Sequence, residues 1–522
     1  MMRLLMTLVV SLSLAMPALA QINNCASPYW QNSLRCKAFP GQVPQANFGS
    51  VPLAAADVKD FTRVFLNADP AVRCADGTRP IMYVDRAAGA TPSNDWVISV
   101  TGGGSAANAQ EIADTYADPT ERDEMGTAFK PPMKNFDGIN DPDVLRNPVF
   151  AGYNRIRVDK CSYDRFMGRA FYSPVTAIGP GGGVIIFDYW QQGYLILQEA
   201  LDALAPGLTY TTWSLDAAGN VVSSQEALEP FANAGKVLFV GHSGGAHGLY
   251  HNIDNLAADV AVHAPAADVR VLFDANFLPS NENEAWFDAA TPGVNDAYSG
   301  VWAGESAIAG GALTFDGAAY WPVSPLTAQY TNWGAVLDAS CVAAHPADGW
   351  KCSDRMHVLL NHIATPFFFR EDFTDPNQEH TNGGAGHSVL WGSTSVPYAA
   401  CASPACFPVL TVAEHRARLM QQWQTILDGS LLRSELFTGA DPSLGAGNFP
   451  ATVAWMPQCG THAGAYNDDS YFDTTMTYLT YTYSMRMFVE GFMMHPRTNA
   501  RSWYVDGWTD PLGNVMTTTT CF

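Results

Sequence analysis

The sequence predicts an α/β fold built on a doubly wound, mostly parallel sheet. Three observations carry that expectation. Short apolar runs at 81–84, 96–100, 183–187, 237–240, 269–273 and 365–369 have the length and composition of buried strands, and helix-compatible stretches at 191–204 and 246–256 lie between some of them. The run 237–240 leads into Gly241-His242-Ser243-Gly244-Gly245 and then directly into an apolar helical segment. The run 96–100 ends on Thr101 and three consecutive glycines, Gly102 to Gly104. Alternating strand and helix favours parallel strands joined by crossovers, with loops gathered at their C-terminal ends.

Taken in order, the chain opens on a segment outside that fold. Arg3 is the only charge among residues 1–20, residues 4–14 are apolar, and Ala18-Leu19-Ala20 precedes Gln21. This is the pattern of a signal peptide, so a mature chain of 21–522 in the periplasm or the medium is expected. No later stretch approaches the roughly 18 uninterrupted apolar residues of a membrane span. The rest is expected to be a single catalytic domain with two insertions, at 282–341 and 379–408. Both are rich in small and aromatic residues without clear periodicity, and fit either a cap over the sheet edge or plain surface loops.

Composition narrows the partners. Hydrophobic residues make up 47% of the 522 and charged ones only 15%, so a large core is easily filled. The formal charge of −22, or −23 once Arg3 leaves with the leader, argues against nucleic acid or an anionic membrane as a ligand. All ten cysteines fall after the leader: Cys25, Cys36, Cys74, Cys161, Cys341, Cys352, Cys401, Cys406, Cys459 and Cys521. In an exported chain an even count reads as disulfides, and close spacing suggests 25–36, 341–352 and 401–406. No Cys-x-x-Cys or His-Glu-x-x-His is present, and no Lys-Ser or Lys-Thr follows the triple glycine. Zinc and P-loop chemistry are therefore not expected, and no metal or cofactor is called for.

Gly-x-Ser-x-Gly between a strand and a helix is the pattern of a nucleophile elbow, which lifts a hydroxyl above the sheet and sets the next N–H to bind an oxyanion. A serine needs a histidine as base and a carboxylate to orient it, and in hydrolases of this architecture they follow in the order serine, acid, histidine. Asp375 lies just past the strand-like run 365–369, and Asp274 closes the run 269–273 as a competing carboxylate. His462, in Cys459-Gly460-Thr461-His462, is the leading base on spacing, with His387 in Gly383-Gly384-Ala385-Gly386-His387 next. His242 and His247 sit too close to Ser243 to turn back on it. The triple glycine offers bare backbone amides for an oxyanion.

These pieces, in order, resemble the pectin acetylesterase and Notum family of carboxylesterases over most of the mature chain. The likeness rests on Cys74-Ala75-Asp76-Gly77-Thr78-Arg79-Pro80, on Trp96 through Gly104, and on Asn147-Pro148 through Cys161. It continues through Gly241 to Gly245, Val271-Leu272-Phe273-Asp274-Ala275, 365–378 and Cys459 to His462. The resemblance implies an α/β-hydrolase fold, with Ser243 as nucleophile, Asp375 as orienting acid and His462 as base. It implies an oxyanion hole of the Gly104, Ser105 and Gly244 amides. Where the family has tryptophan and cysteine after the triple glycine, this chain has Ser105 and Ala106; after the serine it has Gly244-Gly245-Ala246 in place of alanine and two glycines.

The activity so implied is a serine carboxylesterase that removes a small acyl group, such as acetyl, from a polysaccharide. A neutral glycan such as xylan suits the acidic chain better than de-esterified pectin. A lipase or polyester hydrolase is the competing reading, with Trp286, Trp302, Trp321 and Trp333 as candidate walls of an apolar acyl site. A third is a binding protein on an inactive hydrolase scaffold.

Overall fold

The computed structural model describes residues 32–38, 53–275 (apart from 89–92, 107, 129 and 180), 313–315, 318–321, 330–346, 352, 355, 358–359, 362–372, 375, 452–459, 462, 464–467, 469–494, 501–505 and 514–521. The leader, the insertion at 379–408, His387, Cys25, Cys401, Cys406, Trp286 and Trp302 lie outside the described residues.

In chain order the strands are β1 (Phe61–Phe65), β2 (Ile81–Asp85), β3 (Asp95–Val100), β4 (Met133–Lys134), β5 (Asn154–Val158), β6 (Ala170–Ile178), β7 (Val184–Gln191), β8 (Thr209–Leu215), β9 (Val221–Ala227), β10 (Lys236–His242), β11 (Asp268–Asp274), β12 (Leu313–Phe315), β13 (Ala318–Trp321), β14 (Phe367–Arg370), β15 (Thr452–Met456), β16 (Thr475–Tyr478), β17 (Tyr481–Ser484), β18 (Arg501–Val505) and β19 (Thr517–Thr520). Ten of them form one sheet in the order β18-β15-β14-β11-β10-β3-β5-β2-β1-β4. From β18 across to β5 every neighbouring pair is parallel. Only the β2, β1 and β4 edge is antiparallel. This is the mostly parallel sheet that the sequence predicts.

The sheet is buried on both faces, which is why its central strands read as continuous apolar runs. Along β10, Val237 and Phe239 enter one core, while Leu238 and Val240 enter the other. Phe367 and Phe369 of β14 face the first core and Phe368 the second. Each such side chain contributes roughly 1.5–3 kcal/mol by leaving water. The first core is covered by two helices, α1 (Gly193–Leu204) and α2 (Gly244–His263). They lie where the sequence places helices at 191–204 and 246–256. The second is covered in part by α3 (Met485–Met494).

One strand expectation needs correction. The run 183–187 leads into β7, but β7 forms an antiparallel hairpin with β6 outside the main sheet. Its apolar residues are not all inside: Val184 and Ile186 are exposed, whereas Phe187 and Tyr189 are buried. The expected insertion 282–341 holds another small hairpin, β12 with β13. It also carries Trp333, which is fully buried against Met167 and Tyr330 and packs as core.

Among the described cysteines, Cys341 and Cys352 are bonded to each other, as their spacing suggests. Cys74–Cys161 and Cys459–Cys521 are bridges that spacing does not suggest, closing separations of 87 and 62 residues. Cys36 is also disulfide-bonded. No helix among the described residues is long and apolar enough to cross a membrane.

Candidate active site

The site lies at the C-terminal ends of β3, β10, β11, β14 and β15. Ser243 stands between the last residue of β10 and the first of α2, with φ 50° and ψ −122°. A non-glycine residue in that region is strained and is held there by its surroundings. The flanking glycines are needed for room. A β-carbon on Gly241 would sit 2.7 Å from Leu249 Cδ1 and 2.8 Å from Ala246 N, and one on Gly245 would sit 2.4 Å from Val100 O. The Ser243 N–H donates to the Asp274 carbonyl (3.0 Å), and the Ser243 carbonyl accepts from the His247 N–H (3.0 Å) in the first turn of α2. The N–H groups opening a helix have no partner within it, and the helix dipole favours an anion there.

The triple-glycine loop meets that turn because β3 and β10 are neighbours in the sheet. A β-carbon added to Gly102 would come within 2.7 Å of Ser243 Cβ. The Gly102 N–H donates to His242 Nδ1 (3.2 Å). Burial lowers the His242 imidazole well below its ordinary pKa, helped by the nearby charges of Arg157, His462 and Lys160. His242 is therefore a neutral strut with Nδ1 as acceptor, not a base. Further along the loop, Ser105 Oγ accepts from Arg165 Nε (3.1 Å), and Arg165 Nη1 also lies 2.7 Å from His247 Nδ1. The Ala106 N–H donates to Tyr163 O (3.0 Å), and its carbonyl accepts from Gln191 Nε2 (2.7 Å) and Trp333 Nε1 (2.8 Å). Gly104 and Ser105 are thus fixed beside the N-terminus of α2, with Gly244 at its first position.

The candidate acid and base lie just past β14 and β15. Asp375 is fully buried, and its Oδ2 lies 2.7 Å from His462 Nδ1. Burial works to raise the Asp375 carboxyl, but the hydrogen bond and charge of His462, with Glu371 and Arg370, hold it below the usual carboxylate range. With Nδ1–H donating to the carboxylate, Nε2 is the basic nitrogen. That Nε2 is buried and has no hydrogen-bond partner among the described residues. The imidazole is close enough to His242 and Asp274 to be felt by both. The residues after it are tied to β10, the strand that leads into Ser243. Tyr466 OH donates to Val240 O (2.8 Å), and its ring lies 4.4 Å from that of His242, centroid to centroid.

Asp274, the rival acid, does not face His462 as Asp375 does. Its Oδ1 lies 3.1 Å from Arg370 Nη1, and its Oδ2 accepts the Ala465 N–H at 2.8 Å. Burial pushes its carboxyl up, against the pull of Arg370 and the Ala465 N–H. The sequence offers Asp274 as a competing acid or, buried at its strand end, as a structural carboxylate, and it gives Arg370, Arg165 and Tyr466 no role. Their one sequence signal was polarity at the ends of apolar strands. A cluster of Cys341, His345 and His362 brings possible ligand atoms within 4.8 Å of one another, but the Cys341 sulfur is spent in its disulfide.

Residues 54–210 match the family model described as pectinacetylesterase. The family likeness read from motifs is shown over that stretch, which takes in Cys74, the triple glycine and Cys161 and ends before Ser243. It supports an ester hydrolase. No curated protein matches the chain. Two crystal forms of the Wnt deacylase Notum from Drosophila are similar in structure at 17% identity and a TM-score of 0.44. They cover 79% of this chain and 87% or 88% of theirs.

Proposed function

We propose that this pectinacetylesterase-like chain is a secreted serine carboxylesterase working through Ser243, His462 and Asp375. The observation that carries the reading is the His462 imidazole: Nδ1 is engaged by a buried carboxylate, while Nε2 is enclosed and without a partner among the described residues. A buried polar nitrogen left open costs stability, and such groups call for a functional reason. The strained backbone at Ser243 supplies one, since it presents a hydroxyl at the end of β10, on the side where the histidine loop is anchored.

The chemistry is acyl transfer in two halves. Ser243 Oγ attacks the ester carbonyl as its proton passes to His462 Nε2. Asp375 stabilises the imidazolium, and the oxyanion lies on the Gly104, Ser105 and Gly244 amides. His462 then gives the proton to the leaving alcohol. Water, deprotonated by the same nitrogen, attacks the acyl-enzyme and releases the acid and the serine. Each oxyanion donor is worth roughly 3 kcal/mol in the transition state. The leader-type N-terminus and the three disulfides among described residues support export.

For substrate, the family match and the net charge of −22 together favour a small acyl group on a neutral glycan. Turnover of p-nitrophenyl esters from acetate to palmitate is the test, and a maximum at acetate is expected. A maximum at long chains would replace this substrate by a lipid or polyester. Ser243→Ala is expected to fold normally, to lose at least a thousandfold in kcat and to resist labelling by a fluorophosphonate, in line with roughly 10⁶-fold effects of nucleophile removal in serine hydrolases. Wild-type turnover in a folded Ser243→Ala protein would end the serine mechanism. Failure of the wild type to be labelled would favour an inactive binding scaffold.

A further inference from the structure

Three arms of the proposed site converge on one buried ion pair that the reaction itself does not use. Asp274 ends β11 and Arg370 ends β14, and they stand opposite each other in the parallel ladder. Oδ1 of Asp274 lies 3.1 Å from Arg370 Nη1, with both side chains at most 2% exposed. The other end of the guanidinium, Nη2, lies 2.6 Å from Asp372 Oδ1. The Ala275 N–H donates to the Arg370 carbonyl (2.9 Å), so the two strand ends are also joined through their backbones.

Asp274 reaches the other two arms as well. Its carbonyl accepts the Ser243 N–H at 3.0 Å, and its Oδ2 accepts the Ala465 N–H at 2.8 Å, three residues after His462. Arg370 meets the same loop from beneath: a β-carbon on Gly464 would sit 2.7 Å from its Cζ. The nucleophile's turn, the acid's strand and the base's loop thus share one aspartate and its arginine. A buried ion pair is a poor source of stability, because desolvation offsets most of its attraction. Its geometric use here is the better reason for its presence.

We propose that the Asp274–Arg370 pair is a positioning device that sets His462 Nε2 against Ser243 Oγ by clamping the Gly464–Tyr466 turn to the end of β11, whose last carbonyl holds the Ser243 N–H. The inference rests on the reading of Ser243, His462 and Asp375 as the reacting triad. Asp274 and Arg370 touch no reacting atom and act through the histidine loop.

The test is steady-state hydrolysis of p-nitrophenyl acetate by the full chain. Asp274→Asn keeps the size of the side chain and removes the charge that holds Arg370 and sharpens the Ala465 bond. A loose imidazole costs rate, not binding, so kcat is expected to fall by roughly 10- to 100-fold with KM within about threefold. The decisive measurement is the same substitution in a His462→Ala background. If Asp274 acts through His462, it adds less than about a twofold further loss there. An unchanged kcat in folded Asp274→Asn, or an equal loss with and without His462, would overturn the proposal. Where the asparagine variant does not fold, Arg370→Lys serves, since it keeps a cation between the carboxylates and gives up the planar fork. The same selective, His462-dependent loss supports the proposal, and wild-type kcat overturns it. Wild-type turnover by His462→Ala alone would instead fail the triad reading, which is a separate outcome.

Discussion

Gly245 shows how little freedom the elbow leaves to a single residue. A β-carbon there would press on backbone, the Val100 carbonyl at 2.4 Å, with Thr101 O behind it at 2.8 Å. Backbone at the end of a central strand does not give way, so Gly245→Ala is expected to cost about 1–3 kcal/mol of stability, as overpacked positions do. It should also slow acylation of Ser243; thermal melts and the rate of fluorophosphonate labelling check the two effects. The pairing of Asp375 with His462 was legible in the sequence because residue type, order and spacing all constrain the triad proposed with Ser243. What was not legible is the part Asp274 plays, since its bonds to Arg370 and the Ala465 N–H depend on folded neighbours far along the chain. Lys160 was missed for a similar reason. Burial lowers its ammonium to about 8, against the pull of Glu124. An unfolded lysine keeps its proton to about pH 10.4. Between about pH 8 and 10 the unfolded chain therefore holds the extra proton, and this position's contribution to stability rises with pH. At pH 7 the fold carries the cost of a buried charge. Any advantage of Lys160→Met in melting temperature at pH 7 is thus expected to shrink by pH 10, and a widening gap would show that the lysine is not desolvated.

At the scale of elements, the histidine loop leaves β15 and is held at three points. Cys459 is bonded to Cys521 just past β19, Ala465 is held by Asp274, and Tyr466 by the Val240 carbonyl. The disulfide closes a separation of 62 residues. Chain entropy gives such a link about 4 kcal/mol. A Cys459→Ser, Cys521→Ser double variant is expected to lose about 2–5 kcal/mol, read from denaturant unfolding, with kcat falling more than KM rises. Loss of stability with no change in kcat would mean that the other two anchors suffice. Sequence spacing found the bridge between Cys341 and Cys352 because they lie close along the chain; pairing at 62 or 87 residues depends on tertiary folding alone. The parallel strands were legible because a sheet buried on both faces makes unbroken apolar runs. The same rule misplaced 183–187, where Val184 and Ile186 contribute apolar character from an exposed hairpin face.

For the molecule as a whole, charge is the property that bears most on what it can take as substrate. A formal −22 surrounds the chain with a field that repels polyanions and leaves neutral polymers untouched. The repulsion is screened as salt shortens the Debye length from about 30 Å at 0.01 M to about 8 Å at 0.15 M. For an acetylated polyuronate, kcat/KM is therefore expected to rise severalfold across that range. For acetylated xylan and for p-nitrophenyl acetate it should stay within about twofold, since neither carries the charge the field acts on. A polymer reaches the serine only by approaching a large part of the surface, whereas a small ester samples the local site, so the two probes separate global repulsion from local chemistry. If instead kcat/KM on the polyuronate falls with salt, a local cationic surface outweighs the global charge and draws the polymer in. The half-buried Arg165, bonded to Ser105 at the edge of the triple-glycine loop, would then be the first side chain to neutralise.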